Sequence, residues 1–248
     1  IAATLALAVV VGSGVSAALT WPRDWQFAQC DVGQGDAVVI RSDDEIALID
    51  TGAEPELLEA CLDRLSIDRI DLLVLTHFDH DHVGGTDAVI GRADAVIVGP
   101  SGSPADDSLL DAVTAAGAHV VEVSAGDRGQ LGELQWGVLW PPAQLSGIEA
   151  GNDASVVVEF RPRSDCQRHC LSSVFLGDLG ESAQSRLDVN HTFKRVDVVK
   201  VSHHGSGDQR PALYAELQAT LGLIGVGADN GYGHPTADAL AMLDDAGT

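Results

Sequence analysis

The 248-residue sequence has few lysines and few aromatic residues. Lys194 and Lys200 are its two lysines, and 37 acidic residues against 14 Lys and Arg give a formal net charge of −23. This charge repels polyanions over the surface as a whole, which excludes a protein that coats nucleic acid through a general basic surface. Because solubility adaptation produces the same composition, the charge alone assigns no function.

Other features that the sequence lacks exclude further classes of protein. The glycines follow no G-x-y period, which excludes a collagen-like chain, and 9 prolines among 45% hydrophobic residues exclude a low-complexity or disordered chain. No G-x-S-x-G sequence occurs, so the nucleophile elbow of a serine hydrolase is missing as well. The sequence is that of a folded globular protein.

Charge is also absent from the first 19 residues. This uncharged, mostly apolar run predicts a transmembrane helix, and Trp21 and Trp25 on either side of Arg23 suit the membrane interface. A signal peptide with a cleavage site near 15–17 is the alternative. Both interpretations place the residues after position 20 outside the cytoplasm.

Apolar runs and helical spacing alternate along the rest of the chain. The helical segments are Glu56–Leu65, Ser108–Ala116, Glu181–Leu187, Pro211–Ala219 and Thr236–Leu243. Strands are predicted at Trp25–Cys30, Ala37–Arg41, Ile46–Ile49, Leu72–Leu75, Ala95–Val98, His119–Val123, Leu134–Trp140, Ser155–Phe160, Ser173–Leu176, Val196–Val201 and Leu221–Val226. This order predicts an α/β fold of two packed sheets with helices on both outer faces. Without a repeat or a long linker, we expect a transmembrane fragment over 1–20 and one domain over 21–248.

The four cysteines are even in number, as expected outside the cytoplasm. Cys166 and Cys170 flank a polar turn and could close a small disulfide, which leaves Cys30 and Cys61 as the second pair. The count allows three connectivities, and the sequence does not choose among them. A zinc knuckle of Cys166, His169 and Cys170 is a further possibility, although it lacks a fourth ligand nearby.

The strongest chemical signal is the segment Thr76-His77-Phe78-Asp79-His80-Asp81-His82, followed by Val83-Gly84-Gly85. It follows an apolar strand and precedes a predicted turn, so its imidazoles and carboxylates crowd onto one loop. Such a set suits divalent zinc or manganese.

The segment resembles the H-x-[HD]-x-D-H signature of the metallo-β-lactamase superfamily. Further blocks, in matching order, are similar to the extracytoplasmic hydrolase-like domain of ComEC-type competence proteins, which are DNA-uptake channels. These blocks are DVGQGDA at 31–37, LIDTG at 48–52, GNDAS at 151–155, FLGD at 175–178, VSHHGS at 201–206 and YGHP at 232–235. The resemblance runs from about Gln29 to the C-terminus and implies the αββα sandwich of that superfamily.

The resemblance also implies a ligand set for two metal ions, zinc or manganese. His77 and Asp79 would hold one ion, Asp81 and His82 the second, and Asp178 would bridge them. Either His203 or His204 would supply the late histidine ligand, and we assign His203. Two cations about 3.5–4 Å apart polarise a phosphate oxygen and supply a hydroxide at neutral pH.

Other residues of these blocks are given smaller roles. Asp36 and Asp50 are predicted to orient the ligand histidines. Asp81, His204 and His234 are predicted to be catalytic, and His234 is a candidate for protonating the leaving group. Substrate-binding roles are predicted for Asn152, Asp153, Ser206 and Asn230.

One departure from the superfamily pattern lies at Asn152-Asp153. Many members carry another histidine ligand between the first loop and the bridging aspartate, whereas His119 and His169 lie in unrelated contexts here. An amide or carboxylate at this point favours oxygen ligands and hence manganese or weaker zinc binding.

Two groups of basic residues could guide a phosphate backbone. Lys194, Arg195, Lys200 and Arg210 lie near the His203 block, and Arg161, Arg163 and Arg168 form a second group. Ordinary solvated surface charge is the alternative for both groups. Bound divalent cations would also reverse the field of the carboxylate-rich loop.

These observations lead to a functional hypothesis: a metal-dependent phosphodiesterase or nuclease domain of a DNA-uptake membrane protein, in which metal-bound hydroxide attacks a DNA backbone phosphate. The expected partners are single-stranded DNA and the membrane channel of the same chain, without a nucleotide cofactor. The domain would lie at the cell membrane on the extracytoplasmic side. The alternatives are a metallo-hydrolase of a small phosphodiester, lactone or lactam, and a catalytically weak metal-binding scaffold of a DNA channel.

Overall fold

A computed structural model describes residues 24–248 of the chain. The transmembrane helix predicted over 1–20 lies outside the described residues. Within residues 24–248, no helix is long and apolar enough to cross a membrane.

The first sheet contains the first six strands in chain order. They are β1 (Phe27–Gln29), β2 (Val38–Ser42), β3 (Glu45–Ile49), β4 (Ile70–Leu75), β5 (Ala93–Val98) and β6 (His119–Glu122). Strands β1 to β3 are antiparallel neighbours, and β3 to β6 run parallel. The carboxyl ends of the parallel strands therefore meet at one edge.

The second sheet has the same plan, with antiparallel strands first and parallel strands last in chain order. Its strands are β7 (Arg128–Leu131), β8 (Leu134–Trp140), β9 (Val157–Pro162), β10 (Ser173–Phe175), β11 (Val198–Lys200) and β12 (Leu221–Leu223). Strands β7 to β10 are antiparallel neighbours, whereas β10 to β12 run parallel.

Helices cover the outer face of each sheet. The helices are α1 (Pro55–Leu65), α2 (His80–Val83), α3 (Pro104–Ala115), α4 (Glu181–Asn190), α5 (Pro211–Leu217) and α6 (Ala237–Ala246). Leu58 and Leu62 of α1 pack on the first sheet, and Leu187 of α4 and Leu213 of α5 pack on the second. Between the sheets lies a third apolar cluster that includes Phe160 and Phe175. The predicted four-layer αββα arrangement is confirmed.

Strand β7 was missed by the sequence analysis. Its residues, Arg-Gly-Gln-Leu, alternate exposed polar positions with glycine and bury Leu131 alone. The strand is defined by its pairing with β8 rather than by its own apolar pattern. Helix α3 also begins earlier than predicted, at Pro104, because Ser103 and Asp106 form a reciprocal capping box.

Both cysteine pairs form disulfides. Cys166 bonds Cys170, as the turn suggested, and Cys30 bonds Cys61, which ties the end of β1 to α1. The zinc knuckle is wrong, because both of its sulfurs are in a disulfide and His169 Nε2 lies 3.0 Å from Asp24 Oδ1.

Candidate metal centre

The histidine-rich loops converge where the carboxyl ends of parallel strands from both sheets meet. The loop after β4 and the start of α2 carry four of the side chains, and Asp178 follows β10. His203 and His204 follow β11 in a 3₁₀ turn, Ser202–Gly205. Ligand sites of α/β sheets commonly form at this edge.

The loop between β1 and β2 closes over this edge. The Asp36 backbone N–H donates to the Asp81 carbonyl oxygen at 3.2 Å. A Cβ atom at Gly35 would lie 2.2 Å from the same oxygen, so only glycine permits this approach.

The carboxylate of Asp50 orients the His82 ring. Its Nδ1 lies 2.9 Å from Asp50 Oδ2, and Asp50 accepts further hydrogen bonds from the Thr76 backbone N–H and hydroxyl at 2.7 and 2.8 Å. The Asp50 carboxylate fixes Nδ1–H as the donor, so His82 Nε2 faces Asp178 Oδ1 at 3.3 Å.

His204 faces Asp36 on one side, at a distance too long for a hydrogen bond. Its Nδ1 lies 3.6 Å from Asp36 Oδ1, while its Nε2 lies 3.1 Å from Asp81 Oδ2 and 3.3 Å from Asp178 Oδ2. Both His203 and His204 adopt left-handed backbone angles, with φ of 45° and 52°, which turn the chain sharply at this point. His203 is more exposed, and its Nε2 lies 3.9 Å from Asp178 Oδ2.

A buried lysine lies behind Asp36. Lys200 is 2% exposed, its Nζ donates to the Val201 carbonyl oxygen at 2.8 Å, and it forms an ion pair with Asp36. Burial alone would raise the pKa of Asp36, but Lys200 and His204 outweigh it and hold that pKa below its ordinary value.

The predicted basic rim is therefore wrong in part. Lys200 points into the protein, Arg210 pairs with Asp188, and Arg161 binds Glu159 and the carbonyl oxygens of residues 194 and 195. These side chains bind other groups of the protein rather than a ligand.

His77 and Asp79 complete the centre. His77 is 2% exposed, with its ring centroid 4.1 Å from that of His82 and its Nε2 3.6 Å from Asp79 Oδ2. The Asp79 side chain is exposed at the mouth of the centre.

Several buried polar atoms in this centre have no hydrogen-bond partner. They are His77 Nε2, His82 Nε2, Asp178 Oδ1, and both ring nitrogens of His204. Such atoms are costly to bury unless something binds them. Asp36, His82, Asp178 and His204 offer ligand atoms within 4.8 Å of one another, and imidazole with carboxylate is the donor set of divalent metals. The residues fit a divalent metal centre.

The charges of the centre agree with this fit. Burial would lower the pKa of His82 and of His204, but the surrounding carboxylates outweigh it and raise the pKa of His204 to about 11. Burial would likewise raise the pKa of Asp178, yet the two histidines hold it well below its ordinary value. The field of this centre attracts positive charge, whether protons or metal ions.

A polar cleft of about 160 Å³ opens above the centre. Besides residues of the centre, its walls include Asn152, His234, Gln34 and Tyr232. Gln34 and Tyr232 were assigned no role from the sequence, although they lie in the DVGQGDA and YGHP blocks, which was a signal that they face the centre.

Three of the predicted substrate-binding side chains point elsewhere. Asp153 is exposed, and its Oδ1 accepts from the Gly180 backbone N–H at 3.4 Å. Ser206 is buried and accepts from the Asp208 backbone N–H at 3.3 Å. Asn230 accepts from the backbone N–H groups of Gly233 and His234 and donates to two carbonyl oxygens, which fixes the loop that carries His234.

Comparisons with known proteins agree with this fold. The Metallo-beta-lactamase superfamily model matches residues 30–146. ComE operon protein 3 of Bacillus subtilis (strain 168) is 30% identical over 240 residues, which cover 86% of this chain and 30% of that protein. The chain thus spans less than a third of this relative's length.

Solved structures show the fold alone. A subclass B3 metallo-β-lactamase from a soil metagenome library, MEM-A1, has 17% identity and a TM-score of 0.51, over 76% of this chain and 80% of that chain. A HARLDQ-motif mutant of a Cronobacter sakazakii metallo-β-lactamase has 11% identity and a TM-score of 0.53, over 91% and 92%. The sequence relative and the family match show that the chain belongs to the metallo-β-lactamase superfamily, as a domain of the ComEC type.

Proposed function

We propose that this domain is a metal-dependent phosphodiesterase that cleaves DNA strands for a DNA-uptake protein of the cell membrane. The observation that carries the proposal is the set of buried, unpartnered imidazole and carboxylate atoms beneath an open polar cleft. The hydrolase superfamily and the relation to a ComEC-type protein support the substrate class.

Two divalent ions would be held by different side chains. We assign His77 and Asp79 to one ion and Asp81, His82 and His204 to the other. Asp178, whose carboxylate oxygens face His82 and His204, would serve both. We assign the late ligand to His204 rather than His203, because His204 is buried and its Nε2 is closer to Asp178.

Charge supports two ions. The carboxylates of the centre are Asp36, Asp50, Asp79, Asp81 and Asp178, and Lys200 is its single ammonium group. With neutral histidines, four negative charges remain, and two divalent cations neutralise them. Because a carboxylate, Asp79, accompanies His77 and the Asn152 amide lines the same cleft, these oxygen donors suit manganese as well as zinc.

Bound divalent ions would act as Lewis acids on the phosphate and supply an acidified water as nucleophile. The protein's own part is to position both. Asp50 and Asp36 orient the histidines, and Asn152 contributes an amide to the cleft wall.

His203 and His234 line the cleft together, with ring centroids 5.6 Å apart. Burial, together with the two neighbouring histidines, lowers the pKa of His234, which favours its neutral form. A neutral imidazole can donate a hydrogen bond to a phosphate oxygen but is a poor proton donor to the leaving oxygen, so we assign these two histidines to binding the phosphate.

The remaining parts of the proposal concern the setting. We infer that the substrate is a single strand, that the domain works on the extracytoplasmic side, and that its partner is the membrane channel of the same protein. The relative's greater length leaves room for such a channel outside this chain.

The test is cleavage of single- and double-stranded DNA by the purified chain with manganese or zinc. Asp81→Ala and Asp178→Ala should each abolish cleavage, because each removes a ligand. Asp63→Ala, an exposed carboxylate of α1, is the matched control and should retain activity. A folded, metal-loaded wild-type chain that leaves DNA intact would overturn the proposal.

A small-molecule hydrolase is the second candidate, favoured by the small volume of the cleft. A small phosphodiester, lactone or lactam would then be hydrolysed in the same centre. Assays with a small phosphodiester and a β-lactam beside DNA separate this candidate from the first.

A further inference from the structure

Tyr232 is an unusual feature of the cleft mouth. It is 74% exposed, and within residues 24–248 it is the only exposed side chain among the Phe, Trp and Tyr residues. The other exposed large apolar residues of that part are aliphatic and do not line the cleft. An aromatic ring left in water beside a polar centre is a feature typical of ligand recognition.

The ring is held in a defined orientation. Tyr232 stacks on His234, with ring centroids 6.0 Å apart and planes inclined by 29°. Asn230 fixes the loop on both sides of the ring through its bonds to Gly227, Gly233 and His234. The Gly227 N–H in turn donates to Gln34 Oε1 at 3.2 Å, which ties this loop to the opposite rim.

The cleft is small and open to solvent, with a volume of about 160 Å³. We expect a phosphodiester group that reaches the centre to leave its sugar and base near the rim of the cleft, where Tyr232 is exposed.

Within residues 24–248, no lysine or arginine lines the cleft, and the chain as a whole carries a net charge of −23. Affinity for a polyanion must then come from the metal centre and from contacts that do not depend on charge. Stacking of a base on an aromatic ring is such a contact.

We propose that Tyr232 forms a stacking subsite for the base of a nucleotide next to the scissile phosphate. The subsite takes any nucleobase, because every base has a planar face. This inference rests on the proposed phosphodiesterase function and adds how the strand is held.

The experiment compares two single strands of equal length, one with bases and one with abasic residues in place of all nucleotides. Tyr232→Ala should raise KM for the base-bearing strand by about 5- to 150-fold, the range for loss of one stacked base, with kcat nearly unchanged. The KM for the abasic strand should stay at the wild-type value. Tyr232→Phe keeps the ring and should behave as wild type.

Val189→Ala is the matched control, since it also truncates a strongly exposed apolar side chain, on α4. Unchanged KM values in Tyr232→Ala, or an equal rise for both strands, would overturn the stacking subsite while the phosphodiesterase stands. If the wild type cleaves neither strand, the proposed function fails first, and the subsite with it.

Discussion

The buried ion pair between Lys200 and Asp36 leads to a quantitative prediction. Lys200→Met removes an ammonium group that is 2% exposed and leaves the buried Asp36 carboxylate with the more distant His204 as its counter-charge. Breaking a buried pair from one side costs about 3–5 kcal/mol. In a domain of this size, that loss lowers Tm by about 6–20 °C.

The same substitution acts on the metal centre through His204. Without Lys200, the Asp36 carboxylate is no longer fixed opposite His204 Nδ1, so His204 Nε2 is less well aimed at Asp178. Loss of such an orienting partner typically lowers metal affinity about 10- to 100-fold. Thermal unfolding of the metal-free protein measures the first effect, and calorimetric titration with manganese or zinc measures the second.

Two further variants test whether the unpaired Asp36 charge causes the predicted loss of stability. The double variant Lys200→Met/Asp36→Asn removes both charges, so most of the stability should return while metal affinity stays low. Lys194→Met removes the only other lysine, which is exposed, and should change neither quantity. The reasoning is refuted if Lys200→Met leaves Tm unchanged, or if the double variant is as unstable as the single one.

Other predictions concern protons and disulfides. Because carboxylates raise the pKa of His204 to about 11 from 6.5, its contribution to the stability of the metal-free protein is complete below about pH 6.5 and is lost as pH rises towards 11. A metal ion replaces the protons of His82 and His204, so binding at pH 7 should release protons, measurable by calorimetry in buffers of different ionisation enthalpy; zero release would contradict the assignment of both histidines as ligands. Replacing Cys30 and Cys61 by alanine opens a 31-residue separation and should cost about 3–4 kcal/mol in urea unfolding, against about 2 kcal/mol for the 4-residue separation of Cys166 and Cys170. The reverse ranking would argue against loop closure as the source of stability.

Local spacing was enough to predict most of the fold. Each predicted strand and helix corresponds to an element of the structure, and in most of them the apolar pattern matches the face that is buried. Strand β7 was not predicted, because its pairing with β8 defines it rather than an apolar pattern of its own. The loop after β4 was also visible in the sequence, since its side chains crowd together within seven residues.

Contacts between distant segments could not be predicted in this way. Lys200 was read as a surface cation from its neighbours in sequence, although its position within the apolar run Val198–Val201 was a signal of burial. Its partner Asp36 comes from the other sheet, and only the packing of the two sheets brings them together. The inward turn of Asn230 onto its own loop is set by backbone geometry that the sequence does not display.

The most direct test of the central claim measures metal content and DNA cleavage on the same preparation during a manganese titration. If two ions work together around Asp178, cleavage of single-stranded DNA should appear with the second equivalent of metal and be absent from Asp178→Ala. A folded chain that binds two equivalents and leaves DNA uncut would contradict the account.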